Sequence, residues 1–129
     1  MKSVLFYKEI VENDYSFQNE LLEWIRATFP NIDALDADSL TDSSLFDLVL
    51  PVINQSDLAV IILDCKYQSP LSNLMPLMEE IWKRPDKYYI LVVGENVLAK
   101  KMVKLCKHVY FNLNFEEQKE LVNSLLNEE

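Results

Sequence analysis

The sequence predicts an α/β domain: a five-stranded parallel sheet held between two layers of helices. Three observations carry this. Residues 58–64, Leu-Ala-Val-Ile-Ile-Leu-Asp, run through six apolar side chains in succession, rich in β-branched types, and end on a carboxylate. A half-exposed strand alternates apolar and polar residues, whereas a strand covered on both faces need not. Residues 88–94, Tyr-Tyr-Ile-Leu-Val-Val-Gly, repeat the pattern, and segments of helical period separate such runs, as in consecutive βαβ units.

The chain has 129 residues, half of them apolar, with one glycine and five prolines. That length suits a single domain with a real core. No apolar run approaches the ~18 residues of a membrane span, and residues 1–3 lead straight into a strand-like stretch without a signal-peptide pattern. A cytoplasmic protein without a membrane anchor is therefore expected. Cys65 and Cys106 are far apart and lack metal-type spacing, so free thiols are expected.

The elements follow in order. Residues 3–9 read as the first strand. A helix is expected over 16–28, with Phe17, Leu21, Leu22, Trp24 and Ile25 on one broad apolar face, stopped by Phe29-Pro30. Residues 31–35 form a short second strand of weak propensity, suited to an edge. Residues 36–42 read as an acidic loop, in which Thr41 caps the next helix and Asp42 suits its positive end. That helix carries Leu45, Leu48, Val49, Val52 and Ile53, and Pro51 is expected to kink it or start a new turn.

Residues 54–57 make the break before the third, central strand. After the loop 65–73, Leu74, Met75, Leu77, Met78, Ile81 and Trp82 recur at helical spacing, with Pro76 tolerable close to the helix start. Residues 84–86 close that helix before the fourth strand. A basic helix is expected over 97–107, with Leu98, Met102 and Leu105 inward and Lys100, Lys101, Lys104 and Lys107 outward. Residues 108–112 form the fifth strand. Asn114 and Glu117 make a capping box for a last helix marked by Leu121, Val122, Leu125 and Leu126. Right-handed crossovers then give a flavodoxin-like three-layer sandwich with strand order 2-1-3-4-5.

Charge and composition exclude several functions. The net charge is −9, with 14 acids against 4 bases over residues 1–82 and 7 against 8 over 83–129. A nucleic-acid surface is disfavoured, since phosphate binding needs clustered cations. With one glycine there is no GxGxxG and no Walker loop to cradle a phosphate. The lone His108 begins a strand and reads as a packing or surface residue, and no nucleophilic triad or metal set can be assembled. The lysine stripe of the fourth helix is a solvated face or a dock for the acidic half of another copy, a contact that salt would weaken.

Open parallel sheets bind ligands at the carboxyl ends of their strands. The candidate ligand-binding residues there are Tyr7 and Lys8 after the first strand, and Asp64, Tyr67 and Ser69 at the end of the third and in its loop. Asp64 has the position of the phosphoryl-accepting aspartate of receiver domains, and VIILDCKYQSP resembles that strand and loop. The rest of a receiver's set is absent. Lys8-Glu9 stands where paired acids would hold Mg²⁺, Gly94-Glu95 where a hydroxyl is needed, and Asn112 where a lysine is needed.

A second resemblance covers residues 3–94. Asn13-Asp14-Tyr15-Ser16-Phe17 with Leu21 and Trp24, then Ile53-Asn-Gln-Ser56, then Tyr67-Gln-Ser69, is similar in order and spacing to a TIR (Toll/interleukin-1 receptor-like) domain. Such domains assemble through protein contacts or cleave the N-glycosidic bond of NAD. The enzymes place a glutamate on the helix after the Y-x-S loop, where it stabilises positive charge developing on the ribose. Here that position falls near Pro76, the customary Trp-Cys is missing, and Glu79 is the candidate catalytic residue one turn later, beside Glu80. An exposed acidic pair on an amphipathic helix is ordinarily a solvated face. SDLAVIILD also resembles nucleoside deoxyribosyltransferases, which use a glutamate in related chemistry. The resemblance implies a signalling or interaction module with a protein partner or self-association and no cofactor. The rival is an enzyme with NAD or a nucleoside as substrate.

Overall fold

The computed structural model describes residues 1–9, 19–38, 43–66, 71 and 74–127. Five parallel strands form one sheet in the order β2-β1-β3-β4-β5. They are β1 (Lys2–Lys8), β2 (Asp33–Asp38), β3 (Leu58–Asp64), β4 (Tyr88–Val93) and β5 (His108–Phe111). The helices are α1 (Glu20–Thr28), α2 (Ser43–Gln55), α3 (Met75–Lys83), α4 (Val97–Met102) and α5 (Phe115–Asn127). This is the flavodoxin-like three-layer arrangement expected from the sequence.

β3 is central, as its composition demands. Val60 and Ile62 face a core layer with Leu21, Leu22 and Ile25 of α1 and Val122, Leu125 and Leu126 of α5. Ala59, Ile61 and Leu63 face the other layer, with Ile53 of α2, Leu77, Met78 and Ile81 of α3, and Ala99 and Met102 of α4. All five residues from Ala59 to Leu63 have no exposed surface, and each large aliphatic chain so buried contributes about 1.5–3 kcal/mol.

Several local expectations are corrected. α1 starts at Glu20, not 16, because Asn19 takes the cap and its Oδ1 accepts from the Leu22 amide at 3.0 Å. β2 runs on through Asp38, residues expected in a loop, because its ladder with β1 continues to Lys8↔Asp38. Arg26 of α1 lies 3.9 Å from Asp36 and donates to the Ala34 carbonyl at 2.9 Å, which settles charge on this edge strand. α2 continues through Pro51 to Gln55 as one helix.

The largest correction is at α4. The helix stops at Met102 and tightens into a 3-10 turn, Val103–Leu105. Ala99, Met102 and Val103 face inward, while Leu98 is 36 % and Leu105 72 % exposed. The tighter turn rotates Leu105 off the inner face, and Lys107 lies beyond the helix. Other readings hold. Asn114 and Glu117 form the reciprocal capping box, at 2.8 and 3.0 Å. Pro76 lies in the first turn of α3, and His108 stacks on Tyr89 with ring centroids 4.2 Å apart. Both cysteines are free thiols. No helix of the described residues is long and apolar enough to cross a membrane. Thr41 and the segment 13–17 lie outside the described residues.

Candidate functional site

The chain turns one way after β1 and the other way after β3, so the topological switch point lies between these two central strands. Their carboxyl ends meet at Lys8↔Asp64. The Glu9 amide donates to the Asp64 carbonyl at 2.8 Å, and the Cys65 amide to the Val93 carbonyl at 2.9 Å, so β1, β3 and β4 are tied together just past the sheet.

The chain after β4 then folds over this junction. The Asn96 amide donates to the Cys65 carbonyl at 3.1 Å. Its side-chain Oδ1 accepts from the Ala99 amide at 3.0 Å and caps α4, while its Nδ2 donates to Glu9 Oε2 at 2.9 Å. Glu9 and Asn96 are both 1 % exposed. Such close approach requires Gly94, whose φ is +102°, where a Cβ would stand 2.5 Å from the Cys65 carbonyl oxygen. The Gly94 amide donates to Asn112 Oδ1 at 2.8 Å, and Asn112, at φ +51°, donates in turn to Glu95. Glu95 pairs with Lys100, whose hydrogen bond and charge hold its carboxyl below the usual range.

Cys65 sits beneath this cover with no exposed surface. Burial first, then the charges of Glu9 and Asp64, push its thiol up to about 12. A thiol so held is not a nucleophile at neutral pH. No group of three metal-ligating side chains occurs among the described residues.

The predicted site residues are thereby dispersed. Lys8 and Asp64 are brought together at the rim. Asp64 keeps 15 % side-chain exposure, and Lys66 Nζ stands 4.0 Å away. Tyr7 is fully buried in the core layer below. Tyr67 and Ser69 lie outside the described residues. Glu79 is exposed on α3 and lines an open groove of about 490 Å³ between α2 and α3, with Asp47, Leu50, Asn54, Pro76 and Lys83. Asp64 does not line that groove. Glu80, next to Glu79 on α3, is engaged by Arg84 and accepts from the Tyr88 hydroxyl at 3.2 Å.

Neither Glu9 nor Asn96 is among the site residues the sequence predicts, and Glu9 enters only beside Lys8 where a receiver would carry paired acids. An asparagine immediately before a helical run is a cap signal, and that signal was present at Asn96. Nothing local ties it to a glutamate 87 residues away. No family model, curated protein or solved structure matches the chain.

Proposed function

We propose that this chain is a protein-interaction module of TIR-like type, acting in cytoplasmic signalling by contact and not by chemistry. One contrast carries the reading. The buried polar groups of the switch point are turned onto one another, Glu9 onto Asn96 and Cys65 beneath both. Exposed apolar side chains instead concentrate in the stretch of chain from α4 to the first residue of α5. Of the eight large apolar residues exposed among those described, Val97, Leu98, Leu105, Phe111 and Phe115 belong to residues 97–115. Concentrated apolar exposure marks contact surfaces better than scattered exposure does.

The test is amine-reactive cross-linking in the source cell, read by mass spectrometry. Links from Lys101 and Lys104 to a second polypeptide, identical or different, are expected. Links confined to the same chain would count against the reading.

A second reading is a hydrolase or transferase acting on the N-glycosidic bond of NAD or a nucleoside. It draws on the groove beside Glu79, whose volume falls in the range of small-molecule sites. Incubation with NAD distinguishes the two: release of nicotinamide, abolished in Glu79→Gln, would replace the contact reading. A degenerate receiver is the third, and labelling of Asp64 by acetyl phosphate would revive it.

A further inference from the structure

We infer that the open groove between α2 and α3 binds a short peptide as its zwitterion, with the ammonium toward the start of the two helices and the carboxylate toward their end. This goes beyond the contact-module reading and does not rest on it.

One stripe from each helix makes the groove. Positions 47, 50, 51, 54 and 55 of α2 and 76, 79, 80 and 83 of α3 line it, the three- and four-residue steps of a single helix face. Apolar stripes of this kind close on one another, ridge into groove. Here Asp47 of one helix and Glu79 and Glu80 of the other line the same gap, and their like charges oppose closure. The helices are held instead from below, through Ile53, Leu77 and Ile81 in the core layer. The space left, about 490 Å³, suits a small molecule.

The groove has polarity along its length. Both helices return against parallel strands, so they run in the same direction. Asp47 and Pro76 lie near their starts, and Gln55 and Lys83 are their last residues. Arg84 joins the two far ends by donating to Asn54 Oδ1 at 3.0 Å, and it also engages Glu80. Asp47, Glu79 and Lys83 are exposed and have no ion-pair partner among the described residues. Two uncommitted carboxylates therefore stand in the first half of the groove. One uncommitted ammonium stands at its far end, beside the carboxamides of Asn54 and Gln55.

Pro51 adds an acceptor to the acidic half. It has no N–H, so the Asp47 carbonyl lacks the amide that a helix supplies four residues on. That carbonyl points along the helix toward Pro51, itself in the groove wall. The complement is a molecule with a cationic donor at one end, an anion at the other and hydrogen-bonding groups between. At about 1.5 Å of rise per residue, positions 76 and 83 lie about 10 Å apart along the axis. An extended tripeptide spans about 10 Å and carries its charges at its ends. A nucleotide would set phosphates against two carboxylates, and a polyamine would set a second cation against Lys83.

Titration of the full chain with unblocked Ala-Ala-Ala, read by amide chemical shifts, tests this. Saturable shifts with a Kd of about 1 mM or tighter are expected, confined to α2 and α3. N-acetyl-Ala-Ala-Ala and Ala-Ala-Ala amide should each bind about threefold to fivefold more weakly, the worth of one exposed ion pair. Asp47→Asn with Glu79→Gln should remove the preference for a free ammonium, and Lys83→Met the preference for a free carboxylate. Pro51→Ala supplies the missing amide and keeps every charge. It should weaken the free-ammonium peptides and leave the acetylated one unchanged, and it carries the comparison should a charge variant fail a circular-dichroism check of folding.

Absence of saturable shifts at about 20 mM peptide, shifts centred outside α2 and α3, or equal binding of blocked and unblocked peptides would overturn the inference. Saturation of the same amides by NAD and not by peptide would do so too. A failed cross-linking test would sink the contact reading and leave this one standing.

Discussion

Asn96 Nδ2 donates to Glu9 Oε2 at 2.9 Å inside the protein, joining the end of β1 to the loop before α4 across 87 residues of chain. The same asparagine caps α4 through its Oδ1. One side chain thus fixes both a buried carboxylate and a helix start. Asn96→Ala should lose a cap of about 1 kcal/mol and a buried hydrogen bond to a charged group of about 1.5–3 kcal/mol. The expected sum is about 2.5–4 kcal/mol in urea unfolding with an unchanged m value. Asn96→Asp should be worse at neutral pH, because it sets a second carboxylate against Glu9, and should recover in part on acidification. A loss under 1 kcal/mol in Asn96→Ala would show that this bond does not organise the rim.

Gly94→Ala tests the close approach of the β4 loop to Cys65. A positive φ of 102° is strained for alanine, and its Cβ would meet the Cys65 carbonyl at 2.5 Å, a backbone atom that cannot swing aside. Strain of this kind costs about 1–3 kcal/mol before any clash. A total of at least about 2 kcal/mol is expected, together with broadened amide resonances for Cys65 and Asn96. An unchanged melting temperature would contradict the geometry.

The core was legible where burial leaves a mark in composition. Residues 58–63 need no polar side chain because both faces are covered, and their sequence says so. The acid-rich β2 was not legible past residue 35, because its stability comes from the β1 ladder and from Arg26, neither of which has a local signature. Period alone places Leu105 inward, and a 3-10 turn after Met102 changes that period; Leu98 lies before that turn, in the first turn of α4, and is 36 % exposed. At the site, Lys8 and Asp64 were legible as strand ends. Glu9 with Asn96 was not, since a pair so distant in the chain is set only by the sheet order. Glu79 was reached by resemblance, and the fold places it on the α2–α3 groove and not at the switch point.

The thiol of Cys65 predicts behaviour at alkaline pH. Burial, with Glu9 and Asp64 behind it, holds its pKa up to about 12 against an ordinary 9.0. The folded state therefore keeps the proton more tightly than the unfolded one. The stability it contributes is complete below pH 9 and is lost as pH rises toward 12. Tyr88 is raised too, first by burial and then by Glu80, and acts in the same direction. Lys87 is lowered, chiefly by burial, and acts against both. Cys65→Ala should flatten the alkaline fall in stability without abolishing it. At pH 8, iodoacetamide should modify native Cys65 at least about fiftyfold more slowly than the unfolded chain, since thiolate is scarce despite its higher intrinsic reactivity. Labelling at the unfolded rate would mean an open rim.

Lys87 supplies the last test, because it finishes a helix to which it does not belong. From the 3-10 turn Pro85–Lys87 after α3, its Nζ donates to the carbonyls of Asn54 at 2.6 Å, Ser56 at 3.1 Å and Ile53 at 3.3 Å. Helix ends leave carbonyls without partners and carry partial negative charge, so a cation there satisfies both deficits. Lys87→Met keeps most of the stem and removes the donors. It should cost about 1–3 kcal/mol, read as a lower urea midpoint, with faster amide exchange confined to the last turn of α2 and the start of β3. Lys87→Arg retains charge and donors and should recover at least half of that loss. If methionine is as stable as lysine, the three contacts are surface coincidences and α2 is held by Ile53 and its apolar neighbours alone.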